Sequence, residues 1–265
     1  MINNRITSIR NTGLHFKAGL ALTLLMVMTA VNIFAQKPEG YIRYLRTGNW
    51  AKQMAAVDYL SKQQRDRMMY MWGNRSEYKS FANMWFSLSG SKYEDSEEKA
   101  DRDDEGYNWR KEEYTIMRNF ETQTIHEVQY ILGKTYIIDD SLHYPNWKIL
   151  NDMKEVAGHI CMNAFYEDTL KMQKIIAWYA LDLPVSTGPE RLGGLPGVIL
   201  EIDINDGAMV IAADKVELKP LTTELDLPKK VKGRKINEAQ YYGILKKHFD
   251  ERREAEEPPF WSIRY

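Results

Sequence analysis

The residues of this 265-residue chain best spaced for chemistry sit in an acidic run. Asp101-x-Asp103-x-Glu105-Gly106, closed by Glu112, follows the spacing of a calcium loop. In such a loop alternate oxygens converge on one hard cation, and the glycine permits the sharp turn. Two departures count against a metal. Glu105 is longer than the usual Asp or Asn, and Asn108 stands where an aliphatic residue normally tethers the loop. A run this acidic is ordinarily a solvated loop, so the expectation is no metal. His159 and Cys161 lie two apart and share a face if they are on a strand, but two ligands do not make a site. The expected role of Cys161 is a small core residue with His159 beside it. Met68, Met69 and Met71 suggest copper only superficially, because Met is an ordinary gap filler and no histidine accompanies them. No nucleophile elbow, zinc-protease helix, phosphate loop or dinucleotide fingerprint appears. The sequence therefore assigns no catalytic residue, metal or cofactor, and reads as a non-enzyme.

The elements that would carry these residues are mostly strands. Runs at 40–46, 77–89, 114–120, 124–132, 134–139, 146–150, 158–168 and 172–184 are rich in aromatic and β-branched residues. Residues 197–204 and 208–218, joined across Asn205-Asp206-Gly207, form the clearest hairpin. Residues 51–73 read as one amphipathic helix, with Met54, Val57, Leu60 and Gln64 near helical spacing. A second helix starts at Asn237, with Tyr241, Leu245 and Phe249 four residues apart. The polar stretch 219–236 is loop or edge strand. Strands at close intervals without alternating helices predict a mainly β (α+β) fold. The expected architecture is a single curved antiparallel sheet or half-barrel, with a few helices that include the C-terminal one.

Arg5, Arg10 and Lys17 precede an apolar stretch that ends near Ala35, the pattern of a secretory signal over residues 1–35. Residues 36–265 are then a single domain. Removing those three cations leaves 33 basic against 37 acidic residues. No basic stripe is visible, so a nucleic-acid partner is not expected. No second long apolar segment follows, so the expectation is a periplasmic or secreted protein without a membrane span. One cysteine cannot form an internal disulfide. Packing must then supply the core, drawing on 7 Trp, 16 Tyr and 8 Phe.

"RLGGLPGVILEI", residues 191–202, puts Gly193, Gly194, Leu195, Pro196 and Gly197 between apolar segments. Glycine tolerates close backbone approach, and proline cannot sit inside a central ladder. The segment 184–196 thus reads as a stiff loop that caps the sheet, with Leu195 plugging its core. With "NWKI" at 146–149, "EVAGHICMNAF" at 155–165 and "AWYALDLPVSTGPE" at 177–190, this stretch resembles the GLPGLI family of Bacteroidetes exported proteins. His159, Asn163 and Leu192 replace that family's usual tyrosine, lysine and aromatic residue. The resemblance implies an exported protein and brings no activity with it.

The function expected is a binding or assembly role in the envelope. An apolar envelope molecule would lie in a sheet concavity where Trp147, Phe165, Trp178 and Tyr179 gather on one face. The alternatives are a structural partner of an outer-membrane protein and a hydrolase with an unrecognised carboxylate site.

Overall fold

The computed structural model describes residues 38–72, 77–100, 114–227, 231–261 and 263–265. The expected signal segment 1–35 and the calcium-like run of Asp101, Asp103, Glu105 and Glu112 lie outside the described residues. In chain order the elements are β1 Gly40–Asn49, α1 Trp50–Ala55, α2 Lys62–Trp72, β2 Glu77–Phe86, β3 Gly90–Asp95 and β4 Tyr114–Asn119. They continue with β5 Thr124–Ile131, β6 Lys134–Ser141, β7 Lys148–Val156, β8 His159–Asp168 and β9 Gln173–Ala180. The last are β10 Val198–Ile204, β11 Met209–Leu218, β12 Arg234–Ile236 and α3 Glu238–Glu254.

These strands form one open sheet in the order β12-β6-β5-β4-β3-β2-β1-β11-β10-β9-β8-β7. Its ladders are antiparallel except at one edge, where β12 runs parallel to β6. The sheet is therefore mixed, not purely antiparallel as expected.

Curvature follows from one connection. β6 and β7 are consecutive in sequence and lie ten strand spacings apart in the sheet. A flat sheet would separate them by about 48 Å at ~4.8 Å per spacing. The chain between Ser141 and Lys148 can reach no more than about 25 Å fully extended. The sheet must curl until its two wings face one another, leaving a trough inside. The inward residues of β1, Ile42 and Tyr44, are fully buried there, and the Tyr44 hydroxyl reaches past β11 to donate to the Ile199 carbonyl of β10 at 2.7 Å.

α3 lies over that trough. Asn237 caps it in a reciprocal capping box with Gln240, in line with the sequence pattern. Tyr241, Leu245 and Phe249 are buried in the core beside Phe260, Ile263 and Tyr265. The other expected helix is broken in two. Ser61 starts a second capping box, its hydroxyl accepting from the Gln64 amide while the Gln64 side chain accepts from the Ser61 amide. Val57 and Leu60 stay buried in the turn between the pieces. Met68 packs against the core as expected, but Met69 and Met71 are exposed. β3 escapes the sequence pattern because it alternates with charged residues, and β7 extends beyond the expected 146–150. As an edge strand exposed over most of its length, β7 lacks the periodic signature of a half-buried one.

Truncating Leu245, which is 2 % exposed, should test this packing. Leu245→Ala is expected to lower stability in urea unfolding by about 2–5 kcal/mol. A loss below about 1 kcal/mol would mean that α3 does not share the core of the sheet.

Candidate functional site

The glycine-rich loop spans the trough, and its backbone is satisfied by the chain itself. The Val198 amide donates to the Leu183 carbonyl and the Ile199 amide to the Thr187 carbonyl, each at 2.9 Å. Ser186 Oγ donates to the Leu195 carbonyl at 2.8 Å. The bridge between the sheet edges docks on the same loop, with Trp147 Nε1 donating to the Gly193 carbonyl at 2.8 Å and Tyr144 Oη to the Ser186 carbonyl at 3.2 Å. From the opposite wing, Arg118 Nη2 donates to the Glu190 and Leu192 carbonyls, and Ser91 and Thr187 share a hydroxyl contact at 2.8 Å. Leu195 is 1 % exposed and plugs the core.

Each glycine answers a local demand. Gly194 has φ +85°, and a Cβ there would meet the Tyr144 side chain at 2.6 Å. A Cβ on Gly197 would lie 1.9 Å from the Ala180 carbonyl oxygen. Gly197 is thus required by close approach of backbone, not by a positive φ.

The residues just before the motif point elsewhere. Glu190, Arg191 and Leu192 wall a cavity of about 250 Å³ enclosed by the two wings and roofed by α3 and the C-terminal residues. Its floor is apolar, with Ile125, Ile175, Ile202 and Ile204 among the lining residues. Its walls are charged. Arg191 Nε donates to Glu127 at 2.9 Å and Nη2 to Glu238 at 2.7 Å, and the guanidinium lies 4.5 Å from the Tyr241 ring centroid. Arg264 grips Asp95 through two bonds of 2.7 Å and Glu190 at 2.8 Å, above the Tyr114 ring. Burial drives the Glu190 pKa upward, but Arg264 and Arg46 more than reverse this, and the carboxyl titrates at about 2.

Some polar atoms at the cavity have no partner. Gln173 is 3 % exposed, and its Nε2 is buried and unbonded, as is Nη1 of Arg191. No carboxylate lies within ion-pair distance of the half-buried Lys171 ammonium among the described residues, and burial lowers its pKa. Sequence reasoning missed Lys171 and Gln173. For Gln173 the signal was alternation: positions 173, 175, 177 and 179 share a side of β9, so one polar residue continues a buried stripe, whereas Lys171 sits in the preceding turn and carried no such signal. The same alternation corrects the expected ring cluster. Trp178 and Tyr179 are neighbours on β9 and face opposite sides; Tyr179 is buried, while Trp178 lies under Lys154 at 4.3 Å. Among the described residues Trp147 is the one of the four that meets another ring, Tyr166, at 5.8 Å.

Cys161 is fully buried on β8, and burial lifts its pKa to about 11, which leaves an inert thiol. His159 pairs with Asp182 at 2.7 Å. Among the described residues no group of three or more His, Cys, Asp or Glu is arranged to hold a metal, and no helix is long and apolar enough to cross a membrane. A larger hollow of about 980 Å³ lies at the strand ends by Arg118 and His126.

Residues 154–201 match a family model described as a protein of unknown function, Porph_ging. That segment runs from β7 through the motif. No curated protein matches the chain. Among solved structures, PNGF-II in its C2 crystal form aligns with a TM-score of 0.51 at 14 % identity, over 78 % of this chain and 32 % of that one. Its P21 form gives 0.51 at 13 % identity, over 78 % and 33 %. The chain thus spans about a third of PNGF-II, and at this identity the likeness is one of fold. A protein of Thermus thermophilus, described as an uncharacterized conserved protein, aligns at 5 % identity over 81 % of this chain and 99 % of that one, with a TM-score of 0.37.

The loop geometry makes two expectations measurable. Gly158 has nearly the same φ as Gly194, +84°, with nothing within 4 Å of its Cβ position. Gly158→Ala is expected to cost about 1–2 kcal/mol for the backbone alone, and Gly194→Ala clearly more, because Tyr144 must move. Equal losses in thermal melts would mean that the bridge does not press on the motif. The second concerns acid. The folded-state pKa of Glu190 lies below its ordinary value of 4.5, at about 2, so its stabilisation is present above pH 4.5 and fades as pH falls toward 2. Over that window Glu190→Gln should lose about 3 kcal/mol less than the wild type. Parallel stability profiles for the two proteins would contradict the buried Glu190–Arg264 pair.

Proposed function

We propose that the protein is an exported, non-enzymatic binding protein that holds one small molecule in the cavity beneath α3. The observation that carries this reading is the cavity itself: about 250 Å³, apolar at its floor, with buried donors on its walls that lack partners. Ligand sites usually combine an apolar enclosure with a few placed polar groups. The buried carboxylates argue for binding over hydrolysis. Glu127 and Glu190 are each held by an arginine in a structural ion pair. The apolar envelope molecule first expected would have to be small, since Tyr241, Leu245 and Phe249 of α3 and the C-terminal Phe260, Ile263 and Tyr265 pack into the same core.

We further read the chain as a GLPGLI-type protein of the periplasm or cell exterior. Gly194 to Ile199 carry the motif, the matched segment 154–201 contains it, and residues 1–35 carry the features of a signal. Assembly with an outer-membrane protein is the second reading. Edge strand β7 favours it, with Ile149 and Met153 exposed there and Ile160 exposed on the strand beside it.

Protein isolated from the cells that make it, denatured and extracted, should release one small organic molecule near stoichiometrically. A clean extract, together with no change in melting temperature on adding small aromatic acids, amides or amines, would contradict the binding reading.

A further inference from the structure

The charged groups around the cavity are unevenly paired. Arg191 has two carboxylate partners, Glu127 and Glu238, and Arg264 has two, Asp95 and Glu190. Lys171 has none within ion-pair distance among the described residues. It is fixed in the β8–β9 turn by its own amide, which donates to Asp168 Oδ1 at 3.0 Å. Among charged groups it feels Asp168 most, then Glu190, Arg191 and Arg264, which places it among the cavity's ionic walls. Two residues along, Gln173 presents a buried amide nitrogen with no acceptor, and Arg191 keeps Nη1 free while its other nitrogens are engaged. A buried donor left unpaired costs about 1–3 kcal/mol. Two such donors, with the half-buried Lys171 ammonium as the lining cation that has no ion-pair partner, border one cavity and form a receptor for oxygen acceptors.

We infer that the cavity takes a compact monocarboxylate with an apolar body, its acid group received by Lys171 Nζ, Arg191 Nη1 and Gln173 Nε2. This rests on the binding reading above and names its ligand class. The apolar body lies against Ile125, Ile175 and Ile202. The volume of 250 Å³ admits roughly eight water-sized groups at ~30 Å³ each, the scale of a short branched or aromatic acid and far below that of a long acyl chain. A phosphate dianion fits less well, because Asp168, Glu190 and Glu238 also line the cavity and would repel its second charge.

Calorimetric titration of the purified protein with phenylacetate, its neutral isostere phenylacetamide, and phenyl phosphate separates the possibilities. Phenylacetate should bind at least about tenfold tighter than the amide, the smaller end of what a charge-assisted hydrogen bond contributes. Lys171→Met should lose that preference, so that acid and amide bind within about twofold of one another. Gln173→Leu, which keeps the cation, should lose only part of it. Equal binding of acid and amide by the wild type would overturn the acid-receptor inference and leave the binding reading standing. Tighter binding of phenyl phosphate would overturn the monocarboxylate assignment. Binding of none of the three would remove this inference, and stoichiometric recovery of a different small molecule from the native protein would show that the cavity reading survives it.

Discussion

A six-residue bridge between opposite edges of the sheet constrains everything else. Residues 142–147 carry the chain from β6 to β7, across a gap that a flat sheet would make far too wide. The wings must approach, and once they do, their inward faces share one interior. The glycine-rich loop is the brace that holds this arrangement. It receives Tyr144 and Trp147 from the bridge on one side, and Ser91 and Arg118 from the far wing on the other. Larger residues at positions 193, 194 and 197 would force this brace outward, since the Tyr144 ring and the Ala180 backbone already occupy the space.

The interior that results is unusually ionic. Arg46, Arg118, Glu127 and Gln129 are buried on the inner face, and Glu190, Arg191 and Arg264 lie between the wings. Desolvating so many charges makes such pairs poor sources of net stability, yet removing one partner is costly. Their geometry fixes the depth at which the loop and the C-terminal residues sit, because each arginine bridges separate segments: Arg264 ties β3 to the loop, and Arg191 ties β5 to α3. The cavity exists because these planar groups line it instead of filling it. The same groups make its chemistry selective, with Glu127, Glu190 and Glu238 engaged and the remaining donors unengaged.

Local pattern made most of the strands legible. The β10–β11 hairpin was readable from Asn205-Asp206-Gly207, all three with positive φ, and α3 from its Asn237 cap and the four-residue spacing of Tyr241, Leu245 and Phe249. The break between α1 and α2 was also written locally, in Ser61-x-x-Gln64, but the apolar period running through Val57 and Leu60 concealed it. β12 was invisible as a parallel partner because three residues carry no period. The candidate site was the least legible part. Gln173 and Glu127 read as ordinary polar residues until the curl turns their side of each strand inward, and Lys171 and Arg191 read as polar turn and loop residues. The motif drew attention to Gly193–Gly197, whereas the groups that face the cavity are the charged residues just before it.

Native-state hydrogen exchange at the brace tests the central claim most directly. The amides of Thr187, Val198 and Ile199 donate to Val185, Leu183 and Thr187 inside the loop and at its junction with β10. If the loop holds the two wings together, these amides open only when the whole domain unfolds. They should then exchange in the slowest class, with the denaturant dependence of global unfolding. Fast exchange with little denaturant dependence, while the amides of β1 and β11 stay protected, would show a loop that rests on the sheet without bracing it.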